Sequence, residues 1–184
     1  MGNKNSTSIE ELKRIASNII GNLDWKVVYY KKELNEKQEK FLGLANLVAN
    51  HIGSNPYKME REESFDKLDD KEKSIAIKKI CKGKYNKEEI VYLKTTNDFK
   101  SGWAFTKDSF CYSGNLGNGI IKYRDINQVN DVMGCGQSNG LNITCKNNQQ
   151  IHIDGWEEGK EVLIGFNFNF MEKIRDYLNV VKDF

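Results

Sequence analysis

Proline and histidine are almost missing from this chain: 184 residues hold one proline, Pro56, and two histidines, His51 and His152. The four cysteines, at 81, 111, 135 and 145, are scattered and form no CxxC pair. With so few histidines, the ligand spacing of a zinc site is absent. The cysteines read as reduced, small apolar side chains, with Cys111 inside an expected strand and Cys145 ending one. No apolar run approaches the roughly 18 residues of a membrane span. The N-terminus is polar and lacks an apolar signal core. Charge of one sign is not in excess: 28 basic residues against 26 acidic ones leave +2, too little to point to nucleic acid. No GxSxG, HExxH or Walker pattern occurs. These absences lead us to expect a cytoplasmic protein with no cofactor, no metal and no nucleic-acid partner.

What is present is a chain long enough for one large domain or two small ones. Hydrophobic residues make up 39% and charged residues 29%, a balance that can bury a core and stay in water. Residues 1–85 read as a helical N-terminal region. Ser8 with Glu11 forms a capping box, and Ile9, Leu12, Ile15, Ile19 and Leu23 recur at helical spacing, predicting a helix over 9–22. Residues 25–30, WKVVYY, are strand formers in a run too short for periodicity to choose between a strand and the start of the next helix. A second helix is predicted over 36–52, stopped by Gly53-Ser54-Asn55-Pro56. The charged run KMEREESFDKLDDKEK reads as an exposed face, either a solvated helix or a mobile linker. A third helix is predicted over 70–82, with Gly83 as its C-terminal residue.

Residues 86–184 change pattern. Ile90-Val91-Tyr92-Leu93 reads as a strand. Trp103 and Phe105 share one face of the next, and Phe110 and Tyr112 alternate after a polar reversal at 106–109. A loop with three glycines follows, then Ile120, Ile121 and Tyr123. Strands are predicted again over 129–136, at Leu141, Ile143 and Cys145, and over 150–154, with a hairpin turn at Asn147-Asn148. About seven closely spaced strands fit an all-β sandwich or barrel. Phe170, Ile174, Leu178 and Val181 then mark a C-terminal helix over 166–184. Phe170 and Leu178 are expected to plug the open end of the sheet.

A strand Gly-x-x-x-Thr, a turn, an aromatic strand, and a strand ending Tyr-x-Asp-Ile occur here as Gly102, Thr106, Phe110, Tyr112, Ile121, Tyr123, Asp125 and Ile126. Over about 88–184 the chain resembles bacterial pleckstrin-homology-like domains. The resemblance implies a bent antiparallel sandwich capped by a C-terminal helix. It also implies a platform for binding or assembly with no shared catalytic residues. The whole chain is thus expected to be α+β, with a helical N-terminal region followed by a pleckstrin-like domain.

Other chemistry-bearing residues are sparse. His152 and Asp154 share a strand face, half of a metal or acid–base pair, with no identifiable third member. The run Gly114 to Gly119 looks like a phosphate loop, but a strand follows it instead of a helix, so it reads as a hairpin. Met1-Gly2-Asn3-Lys4-Asn5-Ser6 fits an N-myristoylation pattern. Lys94, Lys100, Lys107 and Lys122 lie in or beside the first strands and are the candidate partner-binding residues, with Asp98, Asp108 and Asp125 interleaved. The leading reading is a non-catalytic module that recognises a protein or peptide through a sheet edge or a helix-edge groove. One alternative is a peripheral membrane module binding anionic lipid through those lysines. The other is an enzyme with its site between the two halves.

Overall fold

Aromatic strands in the middle of the chain set the architecture. The structure, a computed structural model, describes residues 7–30, 60–114, 117–134, 137–154, 156–157, 160–161 and 168–184. Along the chain run α1 (Ile9–Ile20), β1 (Lys26–Tyr30), β2 (Glu60–Ser64), α2 (Asp70–Ile80), β3 (Ile90–Thr96), β4 (Gly102–Thr106), β5 (Ser109–Gly114) and β6 (Gly117–Lys122). They are followed by β7 (Ile126–Gly134), β8 (Gln137–Cys145), β9 (Gln150–Asp154), the short pair β10 (Trp156–Glu157) and β11 (Lys160–Glu161), and α3 (Phe168–Val181). One sheet holds six strands in the order β2-β1-β3-β4-β5-β6, and another holds three in the order β7-β8-β9. The protein is therefore mixed α+β, with two main sheets and a C-terminal helix. Among the described residues no ladder joins the two sheets, so the barrel alternative is corrected: the sheets stay open.

The large sheet is covered on both faces, because successive side chains along a strand point to opposite sides. Tyr92, Trp103, Phe105, Phe110 and Ile121 face a core shared with Leu12 and Ile15 of α1, Leu141 and Ile143 of β8, and Ile174 and Leu178 of α3. Trp103 is its centre, with ring centroids 5.2 Å from Tyr92 and 5.3 Å from Phe105. Leu93, Ala104 and Cys111 face the other way, onto Phe65, Ala76, Ile77 and Ile80. Helix α3 buries Met171, Ile174, Tyr177, Leu178 and Val181 completely. Each such apolar side chain contributes roughly 1.5–3 kcal/mol relative to exposure. Leu178 is thus buried in the shared core, whereas the Phe170 side chain lies outside the described residues.

Two strands arise inside the stretch read as helical. Within residues 25–30, Lys26–Tyr30 form strand β1, which runs parallel to β3 with Lys26 opposite Lys94, and antiparallel to β2. The charged run supplies β2 and then a single 3-10 turn, Phe65–Lys67, where Phe65 and Leu68 are buried. The exposed-helix and linker readings of this run are corrected there. Its strand, Glu-Arg-Glu-Glu-Ser, has no apolar alternation, and backbone pairing with β1 supplies the structure that periodicity could not signal. The predicted helix over 36–52 and the acylation pattern at Gly2 lie outside the described residues.

Local signals otherwise act as their chemistry dictates. Ser8 Oγ accepts from the Glu11 N–H at 3.2 Å. The return bond of a capping box is not made, because the Glu11 carboxylate holds Arg14 instead. Helix α2 opens on a reciprocal Asp69–Glu72 capping box and closes on Gly83, at φ 67°, whose N–H returns to the Lys78 carbonyl. Gly102 sits where α2 crosses the sheet: a Cβ there would meet the Lys94 carbonyl at 2.6 Å and Ile80 Cδ1 at 2.7 Å. Thr106 Oγ1 donates to the Ser109 carbonyl at 3.0 Å and accepts the Ser109 N–H at 2.9 Å, closing the β4–β5 turn. Tyr123 donates its hydroxyl to the Thr106 carbonyl at 2.8 Å.

Candidate docking groove

Strand β7 is the edge of the small sheet, pairing only with β8 among the described residues. An edge strand leaves alternate backbone N–H and C=O groups without a ladder partner. Here α3 lies alongside, and one stripe of its side chains bonds three of these backbone groups and the Asp131 carboxylate. Asn179 Oδ1 accepts the Val129 N–H at 3.1 Å, and Asn179 Nδ2 donates to the Val129 carbonyl at 2.8 Å. Lys182 Nζ donates to the Asn127 carbonyl at 2.7 Å. Arg175 Nη1 donates to the Asp131 carboxylate at 2.7 Å. Positions 175, 179 and 182 follow helical spacing, while 131, 129 and 127 follow strand spacing, so one helix face runs antiparallel to one strand edge.

The two elements wall a groove of about 610 Å³ lined by Asn127 to Asp131 of β7 with Arg175, Asn179 and Lys182 of α3. Only Val129 on its floor is apolar. Gln128 and Asn130 form an exposed rim. The Arg175 hydrogen bond holds the Asp131 carboxyl below the usual carboxylate range, against a smaller opposing effect of burial. The same bond raises Arg175 further above its ordinary value. The groove thus presents the Arg175–Asp131 ion pair, the Lys182 side chain and a strand edge.

A second polar cluster gathers at the β4–β5 turn. The Tyr85 hydroxyl donates to Asp108 Oδ1 at 2.6 Å and lies 2.6 Å from Ser109 Oγ. Lys122 Nζ donates to Asp108 Oδ2 at 2.6 Å and to the Tyr85 hydroxyl at 3.2 Å. A serine, a lysine and a tyrosine in mutual reach would suit acyl or proton transfer if the amine were neutral. Burial alone would lower the Lys122 pKa, but its bonds to Asp108 and Tyr85 outweigh burial and raise it. Burial raises the Tyr85 phenol, and its bond to Asp108 raises it further. Both groups therefore keep their protons, and the cluster pins the segment between α2 and β3 to the sheet.

The sequence-nominated lysines separate into different settings. Lys107 pairs with Glu89, beside the cluster that holds Lys122, so these two meet at the β4–β5 end. Lys100 is exposed in the β3–β4 turn at the opposite end of the hairpin, next to Asp98, whose Oδ1 accepts the Lys100 N–H at 3.1 Å. Lys94 is buried within β3. The groove residues Asn127, Asn179 and Lys182 were not singled out from the sequence. The polar stripe at 175, 179 and 182 was its readable trace, but nothing local says which strand edge it meets.

Of the remaining candidates, His152 is exposed on β9, its Nδ1 2.5 Å from Asn142 Oδ1, and it does not line the groove. Cys81, Cys111 and Cys145 are buried free thiols. The Cys111 thiol is pushed far up by its hydrogen bond with Cys81 and by burial. Among the described residues no cluster of three or more histidine, cysteine or acidic side chains could hold a metal, and no helix is long and apolar enough to cross a membrane. Comparison with protein-family models and with curated proteins returns no match.

Proposed function

We propose that residues 88–184 are a bacterial pleckstrin-homology-like domain, and that the groove between β7 and α3 docks an extended segment of a protein partner. The fold reading is supported by element order: the meander β3 to β6, the meander β7 to β9, then a C-terminal helix packed on the core that both sheets share. The docking reading rests on one observation. The Asn179 side-chain amide engages the Val129 N–H and C=O together, which is the bond pair a neighbouring strand would supply. An incoming strand exchanges one amide for another, so the edge is held satisfied without being sealed. Arg175 and Lys182 line the same groove and favour a segment carrying carboxylates. The reading is non-catalytic, in keeping with the protonated state of Lys122 and Tyr85.

The test is affinity capture from the native host with the full-length chain and with Asn130→Trp, a rim substitution that occludes the groove without entering the core. Stoichiometric capture by the parent chain and its loss with Asn130→Trp supports the reading. Equal capture by both chains overturns it.

A further inference from the structure

Helix α2 packs on the large sheet through Ala76, Ile77 and Ile80. Counting 100° per residue, the opposite face carries Lys71, Ile75, Lys78 and Lys79. The turn that follows adds Lys82, Lys84 and Lys87. All six of these lysines are exposed, and among the described residues none forms an ion pair. The nearby carboxylates are placed elsewhere. Asp69 and Glu72 are engaged in the N-terminal capping box, Glu89 holds Lys107, and Asp108 holds Lys122. Asp70 and Glu88 are exposed at the two ends of the segment. Ile75 is one of three large apolar side chains exposed among the described residues, at 36%, and it stands in the middle of the lysine stripe. Gly83, at φ 67°, turns the chain back at the end of the helix, so that Lys78 Cγ lies 3.8 Å from where its Cβ would be.

We propose that this outward face of α2 is a docking surface for an anionic lipid bilayer, with the helix lying in the membrane plane and Ile75 seated at the headgroup boundary. Flexible, separate ammonium groups suit the diffuse field of a charged leaflet. An apolar side chain inside the basic stripe has a use at a bilayer and none against a phosphodiester backbone. The groove between β7 and α3 lies on the other face of the large sheet, so a protein docked this way keeps the groove turned away from the membrane. The inference stands independently of what the groove binds.

The experiment is co-sedimentation of the full chain with phosphatidylcholine vesicles, with and without phosphatidylserine, at low and at physiological salt. The parent chain is expected to bind only the phosphatidylserine vesicles, and less at higher salt. Lys78→Glu with Lys79→Glu should lower partitioning by at least about 30-fold, since each lysine near such a surface is worth about fivefold. Ile75→Ser should lower it roughly threefold with the salt slope unchanged. Asn130→Trp should bind as the parent does. Far-UV circular dichroism checks that each variant is folded. Absence of binding to phosphatidylserine vesicles, equal binding to neutral ones, or competition by short duplex DNA with no effect of Ile75→Ser would each overturn the proposal.

Discussion

Replacing Gly102 by alanine should unfold this protein at a markedly lower temperature. The added Cβ would lie 2.6 Å from the Lys94 carbonyl oxygen, 2.7 Å from Ile80 Cδ1 and 3.0 Å from Thr95 Cα. Carbon atoms in contact sit about 3.5–4.0 Å apart, so the overlaps approach an ångström. Ile80 can turn its terminal methyl away. The Lys94 carbonyl and Thr95 Cα cannot move without shifting the β3–β4 ladder, where Thr95 faces Gly102 and Lys94 faces Trp103. Overpacking of this kind costs typically 1–3 kcal/mol. With two of the three clashes on backbone, we place the loss near 3 kcal/mol, a fall of roughly 6–12 °C in Tm for a chain of this size. Gly119 supplies the control. Its Cβ would meet Tyr112 Cε1, Cζ and hydroxyl at 2.7–2.8 Å, the far end of a half-buried side chain that can swing aside. Gly119→Ala should cost less than about 1 kcal/mol. Urea unfolding at unchanged m separates the two. A Gly102→Ala loss below 1 kcal/mol, or one equal to that of Gly119→Ala, would refute the close crossing of α2 on the sheet.

Three further outcomes follow from the same geometry. Asn179→Ala removes both bonds to Val129 and should cost about 1–2 kcal/mol by urea unfolding; a loss within error of zero would mean that water replaces the amide fully. Tyr85→Phe should cost a similar amount and raise the Asp108 carboxyl, followed by carboxyl-carbon NMR, because the phenol bond helps hold that group low against the effect of burial. Asp131 and Glu89 are lowered chiefly by their bonds to Arg175 and Lys107. Depressed carboxyls contribute stability that is complete above their unfolded values, near pH 4, and is lost as pH falls through the folded values. Tm should therefore be level between about pH 5 and 8 and fall below about pH 4, with a shallower fall in Arg175→Ala.

Strand β3 was legible as a continuous apolar run, Ile90 to Leu93, buried along its length, and others from alternation: Trp103 with Phe105, Phe110 with Tyr112, Leu141 with Ile143. The C-terminal helix was legible from Ile174, Leu178 and Val181. Strand β2 was not, since four of its five residues are charged and its place depends on the ladder to β1. The parallel pairing of β1 with β3 is likewise a long-range fact with no local trace. Among the lysines, sequence spacing said nothing of burial or of partners. Lys94 looked like its neighbours yet lies inside the sheet, whereas the Asp98 and Asp108 expected to dilute the charge do meet Lys100 and Lys122. The groove was illegible for the same reason: Asn179 and Val129 are fifty residues apart.

Site-specific photo-crosslinking in the native host tests the docking groove most directly. A benzophenone side chain at Asn130, on the groove rim, is compared with one at Lys100, exposed at the far end of the β3–β4 hairpin. One dominant protein adduct from position 130, and none from position 100, is the predicted result. An adduct at position 100 with none at position 130 would contradict it and move partner recognition to the lysine-bearing turn.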